Sequence, residues 1–132
     1  MEKTAKILLV DDDADFVEAT KTILESKPYE VIVAYEGDEG LRKAREENPD
    51  LVLLDIIMPV KDGFTAAEQF KKDPQLSKIP VIMLTSYSAR RGETSIPVSR
   101  GLELEAEDYI EKPVSPEELL NKIEQYLKRT DS

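Results

Sequence analysis

The chain has 132 residues, room for about one domain. It holds neither cysteine nor histidine, which excludes a disulfide framework, a thiolate nucleophile, a zinc site built on imidazole or thiolate, and imidazole acid–base chemistry. Its 18 basic and 28 acidic residues give a formal net charge of −10, which argues against sequence-independent binding to nucleic acid or to an anionic membrane. The N-terminal residues lead into Ile7-Leu8-Leu9-Val10 without a signal-peptide pattern, and no apolar run approaches the roughly 18 residues a spanning helix needs. A cytoplasmic protein is expected.

Four short apolar runs follow one another: residues 7–10, Val31-Ile32-Val33-Ala34, Leu51-Val52-Leu53-Leu54 and Val81-Ile82-Met83-Leu84, with a weaker fifth at Tyr109-Ile110. Their length and their lack of alternation predict parallel strands covered on both faces. Helix-period stretches lie between them. Asp15 to Lys27 carries Phe16, Ala19, Thr20, Ile23 and Leu24 on one face, with Asp13 as its cap, and stops at Pro28. Residues 38–47 carry Leu41 and Ala44 and end at Asn48-Pro49. Residues 63–72 carry Phe64, Ala67 and Phe70 behind an Asp62 cap. The last helix opens with Ser115-Pro116-Glu117-Glu118, an N-cap Ser, a Pro at the first helical position and a capping-box Glu, and continues with Leu119, Leu120, Ile123 and Leu127. Ser86 to Arg100 shows no helical stripe, while Leu102 to Glu107 is compatible with a short helix. The alternating order predicts an α/β domain with one parallel sheet, right-handed crossovers and helices on both faces.

The carboxyl ends of such strands are where open α/β sheets bind ligands. Strand one is followed by Asp11-Asp12-Asp13, strand three by Asp55, strand four by Thr85-Ser86, and strand five by Lys112-Pro113. Carboxylates brought together repel, so some become protonated or a cation neutralises them. Oxygen donors alone suit Mg²⁺ or Mn²⁺. A lysine and a hydroxyl nearby would hold an anion against a carboxylate, and carboxylates are known nucleophiles toward phosphoryl groups.

Four motifs at these spacings, Ile7-Leu8-Leu9-Val10-Asp11-Asp12, Leu54-Asp55-Ile56-Ile57-Met58-Pro59 with Asp62-Gly63, Leu84-Thr85-Ser86 and Tyr109-Ile110-Glu111-Lys112-Pro113, resemble those of the receiver domain of response regulators, of the stand-alone, chemotaxis-regulator-like kind. The resemblance spans essentially the whole chain. It implies a flavodoxin-like, doubly wound, five-stranded parallel sheet of order 2-1-3-4-5, with the crevice between strands one and three. It implies Asp55 as phosphoacceptor, and Mg²⁺ held by Asp12, Asp55 and the backbone carbonyl of Ile57, with Asp11 acting through a metal-bound water. It implies Thr85 on the phosphoryl oxygen, Lys112 paired with the phosphoryl group, Tyr109 as the aromatic that rotates inward with Thr85, and a cis Lys112-Pro113 bond. The donor would be a histidine kinase or a histidine phosphotransfer protein, and the output contact with a protein of unknown identity, by a monomer or weak dimer with no nucleic-acid partner and no membrane insertion. Residues 1–132 are expected to form a single receiver domain without an output domain.

Departures from the family pattern carry expectations of their own. Ile57 and Tyr87, two residues past Asp55 and Thr85, border the position of the hydrolytic water in the family, and neither can orient it, so a long-lived aspartyl phosphate is expected. The stretch from Thr85 to Lys112 is a few residues longer than usual and is broken by Gly92 and Pro97, so an atypical fourth-helix region is expected, with Arg90 to Arg100 mobile in the absence of a phosphoryl group or partner. Arg90 and Arg91 read as loop charge, and the acidic run Glu103 to Asp108 as a solvated face. Two other functions compete. A receiver fold that is never phosphorylated would act as an interaction module. An aspartate-nucleophile phosphatase of the haloacid dehalogenase type would normally place a second Asp where Ile57 stands.

Overall fold

The computed structural model describes residues 5–27, 29–55, 63–85, 108–112 and 114–131, with backbone alone at residues 63, 64, 85, 111 and 129–131. The described elements run β1 (Lys6–Val10), α1 (Ala14–Glu25), β2 (Glu30–Ala34), α2 (Gly37–Glu47), β3 (Leu51–Asp55), α3 (Gly63–Lys72), β4 (Val81–Thr85), β5 (Asp108–Glu111) and α4 (Pro116–Asp131). All strand pairs are parallel and the sheet order is β2-β1-β3-β4-β5. The flavodoxin-like order is therefore the one adopted. No described helix is long and apolar enough to cross a membrane.

Why the central strands carry unbroken apolar runs follows from where their side chains go. Successive residues point to opposite faces. Leu8, Val10, Val52 and Leu54 join Leu41, Ala44, Ala67 and Phe70 in the core layer beneath α2 and α3. Ile7, Leu9, Leu51 and Leu53 join Val17, Leu24, Leu119 and Ile123 in the layer beneath α1 and α4. All eight strand residues are 0 % exposed, so neither face tolerates a polar side chain. The edge strand β2 departs from the expected burial on both faces: Val31, Ile32 and Val33 are only half-buried, because one flank of β2 has no neighbouring strand among the described residues.

Local signals set the helix ends. Asp13 caps α1 by accepting the N–H groups of Asp15 at 3.0 Å and Phe16 at 3.2 Å. Ser115 caps α4, its hydroxyl 3.4 Å from the Glu118 N–H. Asn48 closes α2 in the left-handed conformation, with φ 51°, which Asn tolerates better than most residues. Two stripes need correction. In α1 the buried residues are Val17, Thr20 and Leu24, with Phe16 and Ile23 half-buried and Ala19 exposed, so the face packed on the sheet is centred a fraction of a turn from the expected one. In α4 the buried face includes Tyr126 as well as Leu119 and Ile123. The expected cap at Asp62 and the atypical region of residues 86–107 lie outside the described residues.

One glycine sets how closely a helix approaches the sheet. A Cβ on Gly40 of α2 would lie 2.8 Å from Cγ2 of Val10, a fully buried, β-branched side chain with little freedom to move. Gly40→Ala should therefore destabilise the protein by about 1–2 kcal/mol, the overpacking outweighing the roughly 1 kcal/mol that Ala gains over Gly in a helix. Urea denaturation measures it, and a stabilised variant would show that α2 shifts outward freely.

Candidate functional site

The site grows out of strand register. Val10 pairs with Leu54 across the β1–β3 ladder, so the next residue of each strand, Asp11 and Asp55, emerges beside the other at the carboxyl edge. The Asp11 N–H still donates to the Ala34 carbonyl at 3.0 Å, which ties this residue to β2. Its Oδ1 accepts the N–H of Asp13 at 3.0 Å, so the turn into α1 also fixes the carboxylate. Asp11 is 0 % exposed and Asp55 5 % exposed, while Asp12 faces solvent. One carboxylate oxygen from each of the three lies within 4.8 Å of the others.

Among the described residues one ammonium reaches this group. Lys112, one residue past β5, extends across the end of β4, and its Nζ stands 2.8 Å from Asp11 Oδ2 and 3.4 Å from Asp55 Oδ1. The same Nζ lies 4.2 Å from the centre of the Phe16 ring. One positive charge among three carboxylates leaves the site electronegative. Burial, reinforced by the neighbouring Asp11 charge and opposed by Lys112, pushes the Asp55 carboxyl up to about 7. Burial likewise raises Asp11, against the pull of Lys112. For Lys112 burial acts downward, yet its contacts with Asp11 and Asp55 outweigh it and hold the ammonium above the usual lysine range. The donor set is oxygen alone and carries excess negative charge, which fits a hard divalent cation such as Mg²⁺.

The structure thus brings together Asp11, Asp12, Asp55 and Lys112. It ends β4 at Thr85, whose backbone pairs with Glu111 and whose side chain is not among those described. Tyr109 sits half-buried on β5 against the core layer of α2 and α3, and burial raises its phenol. The Ile57 carbonyl, Tyr87, residues 90–100, Arg90 and Arg91, and the Lys112-Pro113 bond lie outside the described residues.

Two features escaped sequence reasoning. The sequence pattern places Phe16 only in an apolar stripe, yet its ring meets Lys112. Asp108 was assigned to a solvated acidic run, yet it is half-buried at the start of β5, and its Oδ2 accepts from Lys122 Nζ at 2.9 Å and the Tyr126 hydroxyl at 3.0 Å. Burial alone would raise the Asp108 carboxyl, but these donors and the Tyr109 N–H hold it below the usual range. No local signal marks either contact, since each joins distant parts of the chain.

A family model described as "Response regulator receiver domain" matches residues 7–124. Among curated proteins, a "Probable transcriptional regulator ycf27" from Guillardia theta is 40% identical over 131 residues, which cover 99% of this chain and 48% of that protein. The chain spans about half the length of the curated relatives it matches. Among solved structures, a "response regulator receiver domain protein (CheY-like)" from Methanospirillum hungatei JF-1 superposes with a TM-score of 0.85 at 34% identity, covering 98% of both chains. The receiver domain of sensor histidine kinase PA1611 from Pseudomonas aeruginosa PAO1, solved with a magnesium ion in its active-site cleft, gives 0.84 at 25% identity, covering 96% of this chain and 99% of that one.

Proposed function

This chain belongs to the response regulator receiver domain family, and on that footing we propose that Asp55 is the residue that accepts the phosphoryl group. The observation that carries the assignment is the pairing of buried Asp55 with Asp11 at the ends of adjacent central strands, under a lysine that touches both. Asp55 Oδ attacks phosphorus of a phosphohistidine on a histidine kinase or phosphotransfer protein. The O–P bond forms as the P–N bond breaks, and the departing imidazole takes its proton from solvent. Lys112 supplies positive charge beside the oxygens of the transferring group. Asp12, Asp55 and the Ile57 carbonyl are the ligands we assign to Mg²⁺, with Asp11 acting through a metal-bound water; the ion would keep Asp55 ionised and offset phosphoryl charge. The Thr85 hydroxyl then binds a phosphoryl oxygen, and Tyr109 follows it. The modification biases two conformations only to the extent that it is bound better in one of them.

The reading of the output follows the relatives. They are named transcriptional regulators and are about twice as long, so the absence of a nucleic-acid partner is proposed for this domain alone. The acidic domain presents its altered surface to a protein or to a further segment, in the cytoplasm. The test is incubation with acetyl phosphate and Mg²⁺, read by intact mass. A gain of one phosphoryl group that EDTA prevents supports the reading. No gain, together with no binding of beryllofluoride, would favour a phosphorylation-independent interaction module, and steady turnover of p-nitrophenyl phosphate would favour a phosphatase.

The lifetime of the product is a separate expectation. The family pattern would put Ile57 and Tyr87 at the border of the phosphoryl group, so the aspartyl phosphate should persist, and Ile57→Asn should shorten its half-life severalfold by offering an amide to the attacking water. Decay followed by intact mass checks this, and a half-life of seconds that Ile57→Asn leaves unchanged would count against it.

A further inference from the structure

We propose that Phe16 is a positioning residue for Lys112, its ring face holding the ammonium at the mouth of the carboxylate site. The proposal rests on Lys112 serving the phosphoryl group, and it adds a residue that no charge-based reading of the site includes.

A lysine side chain is a flexible four-carbon stem whose confinement must be enforced by its surroundings. Here Nζ meets Asp11 Oδ2 at 2.8 Å, Asp55 Oδ1 at 3.4 Å and the Phe16 ring centre at 4.2 Å. The Lys112 side chain is 19 % exposed, so the contact is largely desolvated, the condition in which cation–π attraction is strongest. The ring is itself held in place. The Phe16 N–H donates to Asp13 Oδ1 at 3.2 Å, and Phe16 packs half-buried against the core layer of α1 and α4. The Asp13 N–H in turn donates to Asp11 Oδ1. One short turn therefore sets both the carboxylate that pairs with Lys112 and the aromatic face beneath it.

The division of labour is physical. Attraction by Asp11 and Asp55 depends on their charge, which changes when a phosphoryl group is attached to Asp55. Attraction by a ring quadrupole does not. Phe16 thus keeps the ammonium in place through that change. An aliphatic residue would fill the same space against the core but would present no negative face.

The first experiment needs no phosphoryl transfer. In protein carrying ¹³C-labelled lysine, the Lys112 ε-methylene signal, assigned by its loss in Lys112→Met, should be displaced upfield by the Phe16 ring current. Phe16→Leu should return it to the ordinary lysine position and Phe16→Tyr should keep the displacement. An undisplaced Lys112 signal in the wild type, or one that Phe16→Leu leaves where it was, overturns the proposal. The second experiment is the rate of labelling by acetyl phosphate at fixed Mg²⁺. Phe16→Leu should slow it about three- to tenfold, Phe16→Tyr should restore it, and the Mg²⁺ dissociation constant should stay within about twofold of wild type. Equal slowing by Leu and Tyr, or no slowing by Leu, overturns the functional half. Should the wild type neither label nor bind beryllofluoride, the assignment of Asp55 fails, while the ring-current signature still decides the contact between Phe16 and Lys112.

Discussion

Asp55→Asn should abolish labelling by acetyl phosphate and, at the same time, make the metal-free protein more stable at neutral pH. The two effects share one cause. Asp55 is 5 % exposed beside the fully buried Asp11, and its carboxyl is raised from 3.8 to about 7. A folded-state value above the unfolded one means that the native state binds more protons across the interval between them. The wild type therefore loses stability as pH rises from about 4 to about 7, and the loss is complete above that window. At about 1.36 kcal/mol per pH unit the ionised Asp55 costs about 2–4 kcal/mol at pH 7, and Asn removes that cost while keeping the shape. Urea denaturation without metal at pH 7 should show a raised midpoint for the variant, with the difference shrinking toward pH 4. Added Mg²⁺ should stabilise the wild type more than the variant. Equal metal-free stability of the two at pH 7 would mean that Asp55 is better solvated than its burial implies.

Lys112→Met should act in the opposite direction. It leaves Asp11 and Asp55 adjacent and buried without the ammonium at 2.8 and 3.4 Å. Breaking a buried pair by removing one partner is costly because the other charge stays behind. The metal-free variant should lose about 2–4 kcal/mol at pH 8, somewhat less than a fixed-charge site would, because the carboxylates take up a proton in response. It should recover much of this near pH 5, since both carboxyls are raised and both contribute stability as pH falls through their folded values. Thermal unfolding at the two pH values measures this, and a loss independent of pH would assign the effect to packing of the lysine stem. Labelling should also slow, since the charge facing the transferring group is gone.

Much of this was legible in the sequence, for identifiable reasons. A strand buried on both faces must be apolar at every position, so β1, β3 and β4 announce themselves and their carboxyl ends mark the site. The strand order came from the resemblance, because apolar runs do not encode neighbours. The same limit explains β2, whose composition resembles that of the central strands although Val31, Ile32 and Val33 are half-buried at the edge. In α1 the cap at Asp13 is legible, but a face through Ala19 and one through Val17 both satisfy helical spacing with Thr20 and Leu24, so the pattern alone does not choose between them. The partners of Asp108 lie 14 and 18 residues further on, and Lys112 meets Phe16 from the far end of the sheet. Such contacts are fixed by topology, and no local pattern records them.

The placement of the carboxylates on β1 and β3 bears on amide hydrogen exchange. Both strands are paired on both flanks, and residues 7–10 and 51–54 are 0 % exposed. Their amides should exchange only through global opening, as the slowest in the molecule, while those of edge strand β2 exchange sooner. Asp11 and Asp55 hang directly from these two strands, so a change in their charge is felt by the last unit to open. Proton uptake or metal binding at the carboxyl edge should therefore shift the protection of β1 and β3 amides together, and by the same amount as it shifts global stability.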